Sequence, residues 1–266
     1  MESLAYIFAA AIGISLGLIG AGGSILTVPV LVYLAHVEPV LATAYSLFVV
    51  GSTALVGSMQ NAFRKLVDFK TAFLFGIPSI VAVYSTRAWI MPAIPNEFEV
   101  FGFDVDKGTG ILLLFAGLMV ASSYSMIRKG RQREIEHGAA GDGNHHFGLV
   151  LLEGVGVGML TGLVGAGGGF LIIPALVLLA GLEMKMAVGT SLFIIAMKSL
   201  LGFTGDIQAG MMIDWPFLLA FTTSSVLGIF VGGWLTKYIH GSRLKTGFGW
   251  FVLIMGVYMV IREVVY

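Results

Sequence analysis

Residues 17–57 read GLIGAGGSILTVPVLVYLAHVEPVLATAYSLFVVGSTALVG, and residues 162–202 read GLVGAGGGFLIIPALVLLAGLEMKMAVGTSLFIIAMKSLLG. Laid over each other at a shift of 145 without a gap, they agree at 19 of 41 positions. Shared apolar composition alone would give about a tenth to a fifth. The agreement includes Gly20-Ala21-Gly22-Gly23 with Gly165-Ala166-Gly167-Gly168, Pro29 with Pro174, Glu38 with Glu183, and Ser46-Leu47-Phe48 with Ser191-Leu192-Phe193. The chain therefore carries an internal duplication, and each copy places a glycine cluster between two apolar runs.

Composition says what surrounds those runs. Of 266 residues, 57% are hydrophobic and 11% charged, with a mean hydropathy of +0.94. A soluble domain carries roughly 25% charged residues, so this chain has too few to coat a globular surface and must meet lipid. Lys and Arg balance Asp and Glu at 15 each, which gives no electrostatic footprint for nucleic acid. The absence of Cys excludes disulfides, thiolate metal sites and Fe–S clusters. The start, Met1-Glu2-Ser3-Leu4, lacks the basic residues of a cleavable signal and reads as a mature N-terminus.

Apolar segments fall at 4–20, 24–36, 40–60, 71–92, 109–127, 148–165, 169–181, 186–205, 215–236 and 246–263. A full span needs about 20 residues. The runs 24–36 and 169–181 reach only about 20 Å and are expected to be broken or re-entrant helices. The expected fold is all-α and polytopic, with eight to ten helical segments. Residues 1–127 form a first membrane repeat, 128–147 a basic connector and 148–266 a second repeat.

Loop charges then orient the halves. The loop after 40–60 holds Arg64, Lys65 and Lys70, while its counterpart after 186–205 holds Asp206 and Asp214. Loop 93–108 is acidic, and its counterpart 237–245 holds Lys237, Arg243 and Lys245. Short cytoplasmic loops favour Lys and Arg, so the two repeats are expected to be inverted, with both termini outside an inner-type membrane. Trp89, Trp215, Trp234 and Trp250 sit near segment ends, as interfacial anchors do.

A glycine cluster in a span breaks the helix, and the restarted helix presents unpaired N–H groups and a positive dipole end. Broken backbone inside a membrane must be buried in protein or line a wet cavity. Two such breaks related by inversion would meet near the midplane, where their donors suit an anion. The backbone candidates are Gly20, Gly22, Gly23 and Ser24, with Gly165, Gly167, Gly168 and Gly169. Ser46, Thr190 and Ser191 supply hydroxyls in the next segment. Close helix packing by Gly and Ser is the competing explanation. The spacing is not a nucleotide loop, because Ile25 and Phe170 stand where a third glycine would be needed. No cofactor is expected.

At these residues the sequence resembles the sulfite exporter TauE/SafE family of membrane permeases. The paired Gly-Ala-Gly-Gly turns each followed by Pro, the run Ala187-Val188-Gly189-Thr190-Ser191-Leu192 and the basic central loop carry the resemblance, which covers nearly the whole chain. It implies movement of sulfite, organosulfonates or related organic acids, with export coupled to a proton or cation gradient. The first copy departs from the pattern, with Ala44-Tyr45-Ser46 in place of Gly189-Thr190-Ser191. An anion channel or a carboxylate permease of the same architecture is the alternative. An intramembrane enzyme would need a catalytic set in the spans, and none is evident.

Lys198, Arg87 and Glu153 are charges inside apolar segments, where charge is expensive and marks function by default. Lys198 lies seven residues after Ser191, on the same helix face, and can neutralise an anion; pairing with Glu153 or Asp206, or snorkelling to the outer end, is the structural alternative. Arg87 can grip a sulfonate through two parallel hydrogen bonds or reach to the outer surface. Glu153 can carry a coupling proton or pair structurally. Gln60 and Asn61 read as helix-end caps, and His137, His145 and His146 as solvated connector residues.

Overall fold

A computed structural model describes residues 2–100, 103–132, 147–178, 180–235 and 241–265; the connector histidines and Lys237 lie outside them. The first half contains α1 (Glu2–Ile19), a 3-10 helix (Ala21–Leu26) running into α2 (Thr27–Tyr33), α3 (Pro39–Phe63), α4 (Phe69–Ala93) and α5 (Lys107–Gln132). The second contains α6 (Phe147–Val164), α7 (Gly169–Leu178), α8 (Met184–Gln208), α9 (Trp215–Leu235) and α10 (Gly241–Val265). Five of these helices, α3, α4, α5 (over Lys107–Tyr124), α8 and α9, are long and apolar enough to cross a membrane. The chain is a multi-pass, all-α membrane protein. The acidic loop adds one element that the composition did not announce, a hairpin of β1 (Glu97–Val100) and β2 (Phe103–Asp106).

The 145-residue shift recurs in the backbone. Helices α1, α3 and α6, α8 have bounds that coincide under it. So do the left-handed turns: Gly20 with Gly165, His36 with Gly181, and Lys65 with Gly210 all have φ between 55° and 81°. Capping follows sequence as well. Glu38 accepts from the N–H groups of Val40 (3.0 Å) and Leu41 (2.9 Å) ahead of Pro39, a carboxylate at the positive end of α3. Asp68 does the same for α4 through the Lys70 N–H.

Packing is exchanged between the halves. Helix α1 packs chiefly on α9, and its counterpart α6 packs on α4. The contact points give directions. A Cβ on Gly13 would stand 1.8 Å from the Ser225 carbonyl oxygen, and one on Gly17 would stand 2.7 Å from that of Ile229, so α1 and α9 are parallel. In the same way Gly154, Gly158 and Gly162 of α6 meet Phe75, Ser79 and Thr86 of α4 in parallel order. In the central pair, Leu47 meets Gly202, Gly51 meets Leu200 and Gly57 meets Leu192, so α3 and α8 are antiparallel. Thr53 bonds Ser225 at 3.0 Å and Gly57 meets Ile229, which makes α3 parallel to α9. Val83 meets Gly202, and Arg87 meets Gly205, which makes α4 parallel to α8. Helices α1, α3 and α9 thus run one way, and α6, α8 and α4 the other.

Glycine is required at these contacts because lipid tails give helices no hydrophobic reason to associate; close backbone approach supplies the attraction. The spacing Gly13-x3-Gly17 on α1 and Gly228-x3-Gly232 on α9 puts bare backbone on both sides of one interface. Trp89, Trp215, Trp234 and Trp250 are all exposed; the first three lie near helix ends, whereas Trp250 lies inside α10, which begins at Gly241.

Candidate functional site

The two breaks meet inside the bundle. A Cβ on Gly167 would stand 2.7 Å from Val50 Cγ1 of α3, 3.3 Å from Ser24 Cβ of the first break and 3.4 Å from Ile195 Cγ2 of α8. Val50 adjoins Gly51, where α3 and α8 cross at Leu200, so this is the middle of the two central helices. The breaks are not conformational copies. Gly165, Gly167 and Gly168 all have positive φ, whereas in the first half only Gly20 does and residues 21–26 close as a 3-10 helix. Gly169 opens α7, and its counterpart Ser24 lies within the 3-10 helix.

Lys198 reaches this junction. Its side chain is 0% exposed, its Nζ donates to Thr161 Oγ1 of α6 at 2.9 Å, and a Cβ on Gly168 would stand 2.9 Å from the same Nζ. Neither expected carboxylate pairs with it. Asp206 is engaged by Arg87, and Glu153 Oε2 makes no hydrogen bond among the described residues. The Lys198 amine therefore lies in the middle of the bundle beside the positive end of α7, with a hydroxyl as its hydrogen-bond partner. Once protonated, the amine and the helix terminus together suit an anion that neutralises both. The void beside Thr161 and Gly168 is about 10 Å³, about the size of one water probe, so a larger anion needs the helices to move.

The other predicted residues separate by position. Ser46 is buried and its hydroxyl has no partner among the described residues; Ser15 and Thr27, which flank the first break, are in the same state. Ser191 Oγ donates to Val188 O of its own helix at 2.8 Å. Thr190 Oγ1 accepts from the Asp68 N–H at 2.9 Å, at the end bearing Arg64 and Lys65. Tyr45, its counterpart, accepts from the Asp214 N–H at 2.6 Å. Despite the change of residue, both side chains pin the loop that follows the opposite half's third helix. They stand toward the ends of α3 and α8, away from the junction of the breaks.

Arg87 does not reach the surface. It is 0% exposed, and its Nη1 donates to Thr43 Oγ1 (3.0 Å) and Asp206 Oδ1 (3.3 Å). A π-helical turn at Thr86–Ile90 sets it there. Asp206 lies eight residues beyond Lys198 on α8, about 12 Å along the helix. The sequence signal for this pair was available in the repeat: the counterparts of Arg87 and Asp206 are Gly232 and Asn61, so both charges are departures from the duplicated pattern.

At the opposite end lies a cavity of about 390 Å³. It is bounded by the last turns of α1, α3 and α9 and the first turn of α8, and Gln60, Asn61, Arg64 and Lys185 give it polar and basic walls. Asn61 lies inside α3, which runs on to Phe63, and donates back to Gly57 O at 2.9 Å, so it lines the cavity rather than ending the helix. Among the described residues no group of three or more His, Asp or Glu could hold a metal ion.

Comparison with known proteins agrees with this architecture. The probable membrane transporter protein YunE of Bacillus subtilis is 30% identical over 92% of this chain and 89% of its own length. A probable membrane transporter protein of Xylella fastidiosa is 26% identical over 95% and 92%. The probable membrane transporter protein MJ0441 of Methanocaldococcus jannaschii is 32% identical over 42% of this chain. No solved structure matches. The family model for sulfite exporter TauE/SafE matches residues 5–259, and the chain belongs to that family of membrane transporters.

Proposed function

We propose that this protein is a secondary transporter that moves a small sulfur-containing anion, sulfite or an organosulfonate, by alternating access around the junction of the two breaks. The observation that carries the reading is Lys198, a fully buried amine bonded to the Thr161 hydroxyl beside the start of α7. Gly167, Gly168, Gly169 and Ser24 would give backbone and hydroxyl contacts, and Ser46 a further hydroxyl from α3. The family description supplies the sulfur class and the direction, export. A proton or cation gradient would drive it, with Glu153 as the coupling candidate.

The antiparallel run of α3 against α8, and the exchange of α1 and α6 between the halves, support reading the halves as inverted repeats. The basic end, with Arg64, Lys65 and Lys185, then faces the cytoplasm, and the acidic hairpin and both termini face outward. The cavity of about 390 Å³ at the basic end is the cytoplasmic entrance.

The test is ligand-dependent thermal stability of the purified protein in detergent. The panel is sulfite, sulfate, thiosulfate, sulfoacetate, taurine, lactate and phosphate. A ligand that binds only the folded state stabilises it by about 2.7 kcal/mol at a hundredfold excess over its Kd. Sulfite or sulfoacetate should raise the unfolding temperature, and Lys198→Met should abolish the rise. A response only to lactate or phosphate would retain an anion site and overturn the sulfur assignment. No response in folded protein would overturn the anion site.

A further inference from the structure

The two ends of the bundle are built from corresponding positions, and they are in opposite states. At one end the cavity is bordered by Asn61 and Val188 and reaches Gly233, the neighbour of Gly232. A shift of 145 carries Asn61 to Asp206, and carries Val188 and Gly232 back to Thr43 and Arg87. Those three form the buried cluster at the other end. Burial follows the same division: Asn61 and Val188 are partly exposed at the cavity, whereas their counterparts Asp206 and Thr43 are buried. One half's geometry opens an entrance, and the other half's version of it is shut.

The pair that shuts it is poorly satisfied. Arg87 Nη1 supplies both hydrogen bonds, and Arg87 Nε, Arg87 Nη2 and Asp206 Oδ2 have no partner in the buried cluster. A buried ion pair repays its desolvation only when its remaining donors and acceptors are also bonded. A permanent strut would be better built from well-packed apolar side chains of similar volume. A pair that water reaches in an alternate state is a strut that can be released.

We infer that Arg87, Asp206 and Thr43 form the gate on the hairpin-side end, closed in this conformation while the basic-side entrance is open, and that the two ends exchange these states. The inference rests on the transport reading for its purpose, but its test needs no substrate. The native chain has no Cys, so single reporters can be placed directly. Val188→Cys, half-buried on the cavity wall, reports the open end, and Leu47→Cys, buried against Gly202 one turn after Thr43, reports the shut end. In membranes permeabilised so that a maleimide reaches both faces, Val188→Cys should react at least roughly tenfold faster than Leu47→Cys. Adding Arg87→Gln or Asp206→Asn should raise the Leu47→Cys rate by roughly tenfold and lower the Val188→Cys rate, a redistribution of about 1.4 kcal/mol. An unchanged Leu47→Cys rate would overturn the gate. A rise at both reporters would mean loss of fold, and the milder Thr43→Val then decides: the same reciprocal change supports the gate, and anything else overturns it. Reciprocal labelling in a protein that responds to no anion would keep the gate and discard the anion.

Discussion

Gly228→Val should leave little or no folded protein to purify. The α1–α9 interface is extensive among the described residues, and it exists because two backbones touch. A Cβ at Gly228 would stand 2.1 Å from the Ala10 carbonyl oxygen and 3.0 Å from the Ile14 nitrogen. Both are backbone atoms, so no side chain can swing aside. The helices must separate, and every contact along the seam from Gly13 to Gly232 weakens together. Overpacking a well-filled interior costs typically about 1–3 kcal/mol where side chains can yield, and more is expected where they cannot. The measurement is the monodisperse fraction on size exclusion after extraction, together with the unfolding temperature of whatever remains. Gly117→Val is the control. Gly117 lies exposed on α5, and an added Cβ meets nothing within 4 Å, so its effect should stay within about 0.5 kcal/mol. Equal behaviour of the two variants would show that glycine packing does not hold this bundle together.

Much of the fold was legible because lipid simplifies the code. A span is a length of apolar residues, so the ten expected segments match the ten helices to within a few residues at most ends. The duplication was legible because its two copies keep the Gly-Ala-Gly-Gly turn and keep Glu38 and Glu183 ahead of the third helix. Which helices touch was not legible. In lipid a span can be apolar all round, so periodicity marks no buried face, and only the glycine spacings on α1, α6 and α9 hinted at the exchanged pairs. The Arg87–Asp206 pair was missed for a related reason. Its members are 119 residues apart, and each, read alone, looks like a charge near a helix end. The breaks were read well at the level of place, with Ser24 against Gly167, but the difference in backbone between them depends on φ at Gly167 and Gly168, which their duplicated residue identities do not reveal.

Lys198→Met should produce a protein that is more stable and that no longer responds to anions. The two effects have one cause. Burying an ammonium is unfavourable unless it is paired and fully hydrogen-bonded, and among the described residues Lys198 bonds the Thr161 hydroxyl alone. Methionine keeps an unbranched chain of similar length and removes the charge, so the resting state should gain roughly 1–3 kcal/mol, less what Thr161 loses by keeping an unpaired hydroxyl. Thermal unfolding without ligand reads this gain. The same substitution removes the one cation that the described residues place at the junction, leaving backbone donors and the α7 terminus to hold an oxyanion, so the sulfite-induced shift and uptake into proteoliposomes should both vanish. Lys198→Arg separates charge from shape. It keeps the cation but must fit a larger head beside a void of about 10 Å³, so it should be destabilised and retain part of the anion response. If Lys198→Met is instead less stable and still binds sulfite, the ammonium is a structural donor to Thr161 and the anion site lies elsewhere. A residue that is unfavourable for the resting fold yet indispensable for ligand response is what a substrate-neutralising cation in a membrane requires, and no purely structural role for Lys198 predicts both signs at once.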